Sequence, residues 1–441
     1  MKTPKDFYIL LPVETVSREI DYKLYLSVML AKKGFKIFLG KKDEIYSLFQ
    51  NLNSNFAYID KGFHENLSVE KIYKVIKKNN GMLFHLDEEG GIDFKDNRNI
   101  KRRYSKDVFE YCDKIFLWGN HQKKILQHSI YFDQDKVLVT GHPRFEMLKS
   151  SLINIHLNKS NDIKQKFGKF ILFNSNTKYA NHIHGEDFLH ENYGTRIENL
   201  SQRIIYDKIK LKNNIELFKT ILDKTDFDIV IRPHPEENIN YYKELFGESR
   251  IHCIYDESAI PWIMSSAYTI HNDCTTAIES RLLGKKPIAY MKNYDQELSP
   301  FLPVEVSEMF SNVDQIIDYI SSDNDTLFEI PAIINDLFST QLNSTEIISN
   351  EIYNYVVKNC KKNSSTSLGI KYRMISFFKI FFHKIFNYSN HKKNLLSKNK
   401  RSGIDNDKFI ESKLNSVLKY SSKDNRVILK SIRPGLYQIS F

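Results

Sequence analysis

Short apolar runs alternate with amphipathic stretches through the first 150 residues. The runs at Phe7–Val13, Lys36–Leu39, Phe56–Ile59, Met82–Leu86, Lys114–Trp118 and Lys136–Thr140 predict strands. Between them Arg18–Lys33, Ser68–Lys78 and His121–His128 have helical spacing, and Gly34, Gly81, Gly119 and Gly141 punctuate the ends. A second series starts at Lys169–Asn174 and continues through Asp228–Ile231, Ile251–Ile254, Tyr268–Ile270 and Ile288–Tyr290. Helical stretches at Val313–Ser321 and Thr345–Lys358 follow. Strands alternating with helices predict parallel, doubly wound sheets. The expected fold class is therefore α/β, with two Rossmann-like domains facing across a cleft. Residues 151–168 are polar and rich in Asn and Lys, which predicts a linker. The expected divisions are 1–150, the linker 151–168, a second domain 169–360 and a tail 361–441.

Charge sharpens that division. The chain carries +10 overall, yet 361–441 holds 18 Lys+Arg against 4 Asp+Glu, so the body is mildly acidic and the tail strongly basic. Within the tail, Ser376, Lys379, His383 and Asn387 form one narrow polar stripe across Ile370–Tyr388, and Phe and Ile fill the rest. A basic, aromatic, amphipathic segment suits the interface of an anionic bilayer. That composition favours a membrane surface over nucleic acid, the usual rival partner of a basic tail. Asn390–Asp407 reads as disordered, and the last 30 residues have no assignment. No run of 18 uncharged apolar residues occurs, and residues 1–20 lack a signal-peptide pattern. Cys112, Cys253, Cys274 and Cys360 are dispersed, without CxxC or zinc spacing, as fits a reducing cytosol.

Two blocks carry the clearest chemistry. Arg232-Pro233-His234-Pro235-Glu236 and His271-Asn272-Asp273-Cys274-Thr275-Thr276 each end a predicted strand, and the second opens a helix closing on Gly284. Ligands of open α/β sheets collect at the carboxyl ends of strands, and helix N-termini favour anions. Arg232 offers a fork to phosphate oxygens and His234 a further hydrogen bond, while Glu236 completes the block. His271, Asn272, Thr275 and Thr276 would form a second wall, with Glu279 placed to receive ribose hydroxyls. The alternatives are a rigid turn with a surface Arg, and a helix capped by Asn272 or Asp273. Asn174 and Asn176, after another strand, suit a phosphate or sugar. His182, His184 and Glu186 follow and read as a mobile loop over substrate rather than a metal site.

Acidic side chains stand at strand ends of the first half. Glu14 follows the first strand, with Glu19 and Asp21 beyond it, and Asp87, Glu88 and Glu89 follow the fourth. Sugar transfer needs a carboxylate, as general base or as nucleophile. Glu14, Asp87, Glu88 and Glu89 are the candidates, against a solvated acidic loop. Crowding of like charges in Asp87-Glu88-Glu89 would raise at least one pKa. His142 and Arg144 could hold a donor sugar's carboxylate, or Arg144 could pair only with Glu146 or a linker residue. Trp118 could stack on a sugar or simply lie in the core.

The order of these blocks, with Leu11-Pro12-Val13-Glu14-Thr15, His85-Leu86-Asp87-Glu88-Glu89-Gly90, Thr140-Gly141-His142-Pro143-Arg144 and Ile260-Pro261-Trp262, resembles bacterial surface carbohydrate (polysaccharide) biosynthesis proteins. These are similar in layout to GT-B glycosyltransferases handling 3-deoxy-manno-octulosonic acid (Kdo). The resemblance spans about 7–320. It implies a glycosyltransferase of lipopolysaccharide or capsule synthesis, with a CMP-activated Kdo-like acid as co-substrate and no separate cofactor. It also implies a lipid-linked or oligosaccharide acceptor, no nucleic-acid partner, and a cytoplasmic location peripheral to the inner face of the membrane. No strand-adjacent DxD offers a metal site. A nucleotide-sugar 2-epimerase and a non-catalytic carbohydrate-assembly protein of the same fold are the alternatives.

Overall fold

A computed structural model describes residues 7–360, with short breaks at 51, 53–54, 63–68, 150, 195–196, 248, 257 and 323–331, together with 400–421 and 426–441. It forms two compact units. Unit 1 comprises Met1–Gly90, Ile100–Ile155 and Asn335–Phe441, and unit 2 comprises Gly91–Asn99 and His156–Ile334.

The unit 1 sheet contains β1 (Tyr8–Val13), β2 (Lys36–Lys41), β3 (Phe56–Asp60), β4 (Met82–Leu86), β5 (Lys114–Leu117) and β6 (Val137–Val139), all parallel. In unit 2, β7 (Phe170–Asn174), β8 (Asp228–Arg232), β9 (Ile251–Cys253), β10 (Tyr268–His271), β11 (Pro287–Tyr290) and β12 (Glu308–Phe310) form a second parallel sheet. Helices on both faces leave the central strands no wet side. β1, β3 and β7 are accordingly buried along their whole length, as continuous apolar runs rather than alternating ones.

Strand order locates each sheet's reversal. Unit 2 runs β12-β11-β10-β7-β8-β9, the doubly wound order in which the chain starts centrally, builds outward on one side, then crosses back. Its switch point lies between β7 and β10. Unit 1 runs β2-β1-β3-β4-β5-β6 through its parallel part, with the switch between β1 and β3.

The expected tail is corrected by the structure. Residues 407–421 form a helix, and β13 (Ile428–Arg433) and β14 (Leu436–Ser440) form a hairpin. β14 pairs antiparallel with β2 and extends the unit 1 sheet. Pro434-Gly435 makes the turn, with Gly435 at φ 77°. The Gly435 carbonyl accepts the Lys41 N–H at 2.8 Å and lies so close to Gly40 that a β-carbon there would collide with it. Ile410, Leu414 and Val417, one helical stripe, join the core of the helix Val16–Lys32. Ile404, expected in a disordered stretch, is buried. Residues 361–399, including the amphipathic segment Ile370–Tyr388, lie outside the described residues.

Two further boundaries move. The expected linker is structured: Leu152–His156 is a 3-10 helix and Leu157–Phe167 an α-helix, whose Ser160 bonds Ser265 at 2.9 Å. The helix Ser344–Asn359 belongs to unit 1 rather than to the second domain, because Ile348, Ile352 and Val356 enter the core beside Val16–Lys32. Glu146 secures it, accepting the Thr345 N–H and hydroxyl at 2.7 Å each. A carboxylate at a helix N-terminus is favourable there.

Candidate functional site

In unit 2, register alignment places Asn174 between Arg232 on one side and His271 on the other, at the ends of β8, β7 and β10. These three positions span the switch point. The Asn174 amide nitrogen is buried without a hydrogen-bond partner. The loops beyond are fixed by buried charge. Lys210, on the long helix Leu200–Lys224, meets Asp207 at 2.9 Å, Asp273 at 3.2 Å and the Asn176 carbonyl at 3.0 Å. Asp273 also accepts from Asn176 at 2.7 Å and Ser299 at 2.9 Å. Burial lowers the Lys210 pKa, but Asp207 and Asp273 outweigh it and raise it overall.

Glu237 is the second pin. It accepts the Thr177 N–H and the hydroxyls of Ser175 and Tyr242, each at 2.8 Å, and burial raises its pKa. Ile183 donates to the Glu236 carbonyl and Asn238 to that of Asn181, so the loop bearing His182 and His184 is laced to the loop after β8. The expected mobile loop is a bonded one. Among the described residues no group of three His, Cys, Asp or Glu is placed to hold a metal ion.

Other predicted contacts already have structural partners. Arg232 directs its fork to Asp256, at 2.7 Å to the carboxylate and 3.1 Å to the carbonyl, and lies over Trp262. Asn272 makes a reciprocal amide pair with Asn214, at 2.8 and 3.0 Å, and also donates to the Tyr290 carbonyl. It is not a helix cap. Thr275 stands at the N-cap of the seven-residue helix Thr276–Leu282 without a side-chain cap bond, and Glu279 is buried in that helix.

In unit 1 the switch point is a buried ionic network. Glu19 is fully buried and accepts the N–H groups of Glu14 and Thr15 at the start of the helix Val16–Lys32. Lys23 reaches it at 2.7 Å and Lys61 at 2.8 Å. Burial pushes the Glu19 pKa up, but Lys23, Lys61 and Arg18 hold it well below the usual carboxylate range. Glu14 is half-exposed at 3.2 Å from Lys61. Burial acts upward on it too, and Lys61 and Lys42 bring it down to about 2.

The acidic triplet does not crowd its charges. Arg103 takes Asp87 through Nε at 2.8 Å and Glu89 through a terminal nitrogen at 3.1 Å. Glu88 turns inward to Tyr22 and Lys23. Asp87 and Glu89 share Arg103 and Glu88 has Lys23, so every carboxylate of the triplet meets a cation in place of the like-charge contact expected from sequence. Trp118 is buried and donates to the Asp87 carbonyl at 2.6 Å.

Four histidines at these strand ends share one device. Nδ1 of His142 accepts the Arg144 N–H at 3.1 Å, that of His182 the His184 N–H, that of His234 the Glu236 N–H, and that of His271 the Cys274 N–H. Each bond selects the neutral tautomer protonated on Nε2. His271 donates that proton to Ser307 at 2.8 Å within unit 2, and burial drops its pKa to about 4. His142 packs between Tyr22 and Trp118, with ring centroids at 5.1 and 4.7 Å. Burial, then Arg144 and Lys23, hold it well below the usual histidine range. His142 and His271 are thus neutral rings whose Nε2 can donate.

Sequence reasoning missed Tyr22, Lys23, Arg103, Lys210 and Glu237. The Glu19-to-Lys23 spacing of four was a legible signal. Lys210 had none, since mid-helix lysines usually face water.

No protein-family model matches the chain, and no characterised protein matches it significantly by sequence. Solved structures do. UDP-GlcNAc 2-epimerase of Methanocaldococcus jannaschii, in complex with UDP-GlcNAc and UDP, aligns at TM-score 0.50 and 13% identity over 79% of this chain and 99% of that one. The wall teichoic acid polymerase TagF aligns at 0.45 and 12%, over 80% and 89%. S. aureus MnaA with UDP aligns at 0.45 and 13%, over 82% and 99%. The first likeness is one of fold, and it agrees with two Rossmann-like units of the GT-B class.

Proposed function

We propose that the chain is a nucleotide-sugar enzyme of bacterial surface carbohydrate synthesis, specifically a glycosyltransferase. The single observation that carries the reading is the unit 2 switch point. Asn174, in register with Arg232 and His271, ends the central strand where doubly wound sheets bind nucleotides. Asn174, Asn176, His234 and Thr275 would meet the nucleotide, with Glu236 and Glu279 toward its ribose. Arg232 would join them only where phosphate displaces Asp256. The donor we favour is a CMP-activated Kdo-like acid, whose departing phosphate needs neutral and cationic hydrogen-bond donors. UDP-GlcNAc and UDP are bound by one structural neighbour, so UDP donors belong in the same test.

In the transfer, the acceptor hydroxyl oxygen bonds to the anomeric carbon. The bond from that carbon to the phosphate oxygen breaks, its electron pair leaving with the nucleotide, and the hydroxyl proton passes to a unit 1 carboxylate. Glu14, Asp87, Glu88 and Glu89 remain the candidates, with His142 and Arg144 toward the sugar. The basic residues of 361–399, which include no acidic residue, would hold the enzyme at an anionic membrane surface. Among the described residues no helix is long and apolar enough to cross a membrane.

Calorimetry with CMP and UDP tests the reading. Binding should weaken at least tenfold in Asn174→Ala and His234→Ala while the fold persists. Failure of both nucleotides to bind the intact chain at millimolar concentration would refute it. Conversion of UDP-GlcNAc to an epimer without acceptor would make the protein an epimerase instead.

A further inference from the structure

Residues Gly91–Asn99 leave unit 1 just after the acidic triplet, belong to unit 2, and are followed by Ile100–Arg103 of unit 1. A slack loop could make that excursion, but this one is braced. Asp93 Oδ1 accepts the N–H groups of Phe94 at 2.9 Å and Asn99 at 3.0 Å, and the Asn99 side chain donates to the Ile92 carbonyl at 3.1 Å. Asn97, at φ 58°, donates its N–H to the Phe94 carbonyl at 2.9 Å. The segment is closed on itself as a compact knob.

The knob is fastened within unit 2. Phe94 is buried, and its ring centroid lies 4.0 Å from the Arg98 guanidinium and 5.3 Å from that of Arg203. The Phe301 N–H donates to the Asp93 carbonyl at 3.1 Å, Arg98 to the Glu297 carboxylate at 3.2 Å, and Arg203 to the Leu298 carbonyl at 3.2 Å. The stretch 297–301 that receives the knob also belongs to the switch-point network. Ser299, fully buried, donates to Asp273 at 2.9 Å and accepts the Tyr206 hydroxyl at 2.9 Å. Asp273 is the carboxylate on which Lys210 and Asn176 converge.

The roots of the segment are clasped within unit 1. The helix Arg98–Arg103 begins at the residue that holds Glu297 and ends at the residue that holds Asp87 and Glu89. A six-residue helix is a rod of about 9 Å, so a displacement at its first residue is carried to its last. At the other root, Trp118 donates to the Asp87 carbonyl at 2.6 Å, and its ring lies so close to Gly90 that a β-carbon there would collide with it. Trp118 is therefore a built-in reporter of the clasp.

We propose that Gly91–Asn99 is a strap that makes the Asp87–Arg103–Glu89 clasp respond to occupancy of the unit 2 switch point. The identity of the occupant rests on the nucleotide-sugar reading above; the mechanical link rests on the strap alone. A nucleotide against Asn176 and Thr275 loads the loops that Asp273 ties together. Ser299 passes that load to 297–301, Asp93 and Arg98 pass it to the strap, and Arg103 shifts between Asp87 and Glu89. A contiguous chain of packed side chains, hydrogen bonds and a rigid helix is a physical route for such coupling. The acidic triplet of unit 1 is thereby set for transfer when the donor is in place.

Two experiments on the full chain decide it. The first needs no ligand and follows amide hydrogen exchange by NMR. Arg203→Ala releases the knob more than 100 residues from the triplet. The Phe301 amide should exchange faster, and so should those of Glu88 and Glu89, by about tenfold. The Ser175 and Thr140 amides, bonded to the Arg232 and Leu117 carbonyls, are the controls and should not change. The Trp262 unfolding midpoint verifies that unit 2 is folded, and Arg98→Gln, which frees only Glu297, makes the same test where it is not. Faster exchange at Phe301 with Glu88 and Glu89 unmoved overturns the strap, and so does an unmoved Phe301.

The second uses CMP and UDP in a Trp262→Phe background. Saturating nucleotide should change Trp118 fluorescence in this parent and leave it unchanged in Phe94→Ala. By reciprocity Arg103→Lys, within unit 1, should alter nucleotide affinity by calorimetry, within the range of about 5–150-fold typical of coupled sites. A parent that binds nucleotide with Trp118 silent and affinity indifferent to Arg103→Lys overturns the link to occupancy while leaving the nucleotide reading intact. A parent that binds neither nucleotide removes that reading instead, and the exchange experiment still decides the strap.

Discussion

Replacing Leu436 by alanine measures how far the C-terminal residues belong to unit 1. Leu436 is fully buried, pairs with Gly40 on β2, and packs in the core that contains Phe38, Ile45 and Leu48. Truncating a fully buried leucine costs about 2–5 kcal/mol. Against a domain stability of about 5–15 kcal/mol, that is a large share. The two tryptophans report the units separately, since Trp118 is buried in unit 1 and Trp262 in unit 2. In a Trp262→Phe background, urea unfolding followed by Trp118 fluorescence should therefore shift to a lower midpoint, on the order of 1 M for a slope of ~3 kcal/mol per molar. The Trp262 transition, read in a Trp118→Phe background, should not move. Ile428→Ala on the neighbouring β13, at 61% exposure, is the control and should stay within about 0.5 kcal/mol. A Leu436→Ala shift no larger than that of Ile428→Ala would mean the hairpin is a detachable appendage, as its basic composition alone suggests.

Other expectations follow from the same geometry. Gly40→Ala should destabilise unit 1 by about 1–3 kcal/mol in the same Trp118 assay, because the new β-carbon meets the Gly435 carbonyl. Lys210→Met leaves Asp207 and Asp273 buried without their cation and should cost unit 2 about 3–5 kcal/mol by Trp262 unfolding. His271 has a folded pKa of about 4 against 6.5 unfolded, so below pH 6.5 the unfolded chain binds a proton that the fully buried folded ring does not. Unit 2 should therefore lose stability as pH falls from 6.5 toward 4, by up to about 3 kcal/mol, and His271→Gln should flatten that slope in Trp262 midpoints. Replacing 361–399 by a Gly/Ser segment of equal length, with 400–441 kept, should abolish flotation with anionic vesicles and leave unit 1 unfolding unchanged; flotation equal to that of the parent chain would remove the membrane assignment.

The sequence by itself determined the parts that repeat locally. Apolar runs bounded by glycine marked β1 to β11, because a strand covered on both faces must be apolar along its length. The same pattern fixed the helices Val313–Ser321 and Ser344–Asn359 nearly to the residue. It also named Asn174, Arg232 and His271, since polar residues following a buried strand stand out. Tertiary structure decided the rest. β12 and β13 are edge strands with exposed positions, and neither they nor β14 shows a continuous apolar run. Which unit the helix Ser344–Asn359 joins depends on a carboxylate about 200 residues earlier, Glu146, and on the Ile348 stripe finding Val16–Lys32. The basic balance of 361–441 concealed Ile410, Leu414, Val417 and Leu436, because net charge sums over a segment while burial is settled side chain by side chain. Which acidic residue turns inward was likewise invisible in Asp87-Glu88-Glu89. Only the placement of Arg103, Tyr22 and Lys23 around them tells the three apart.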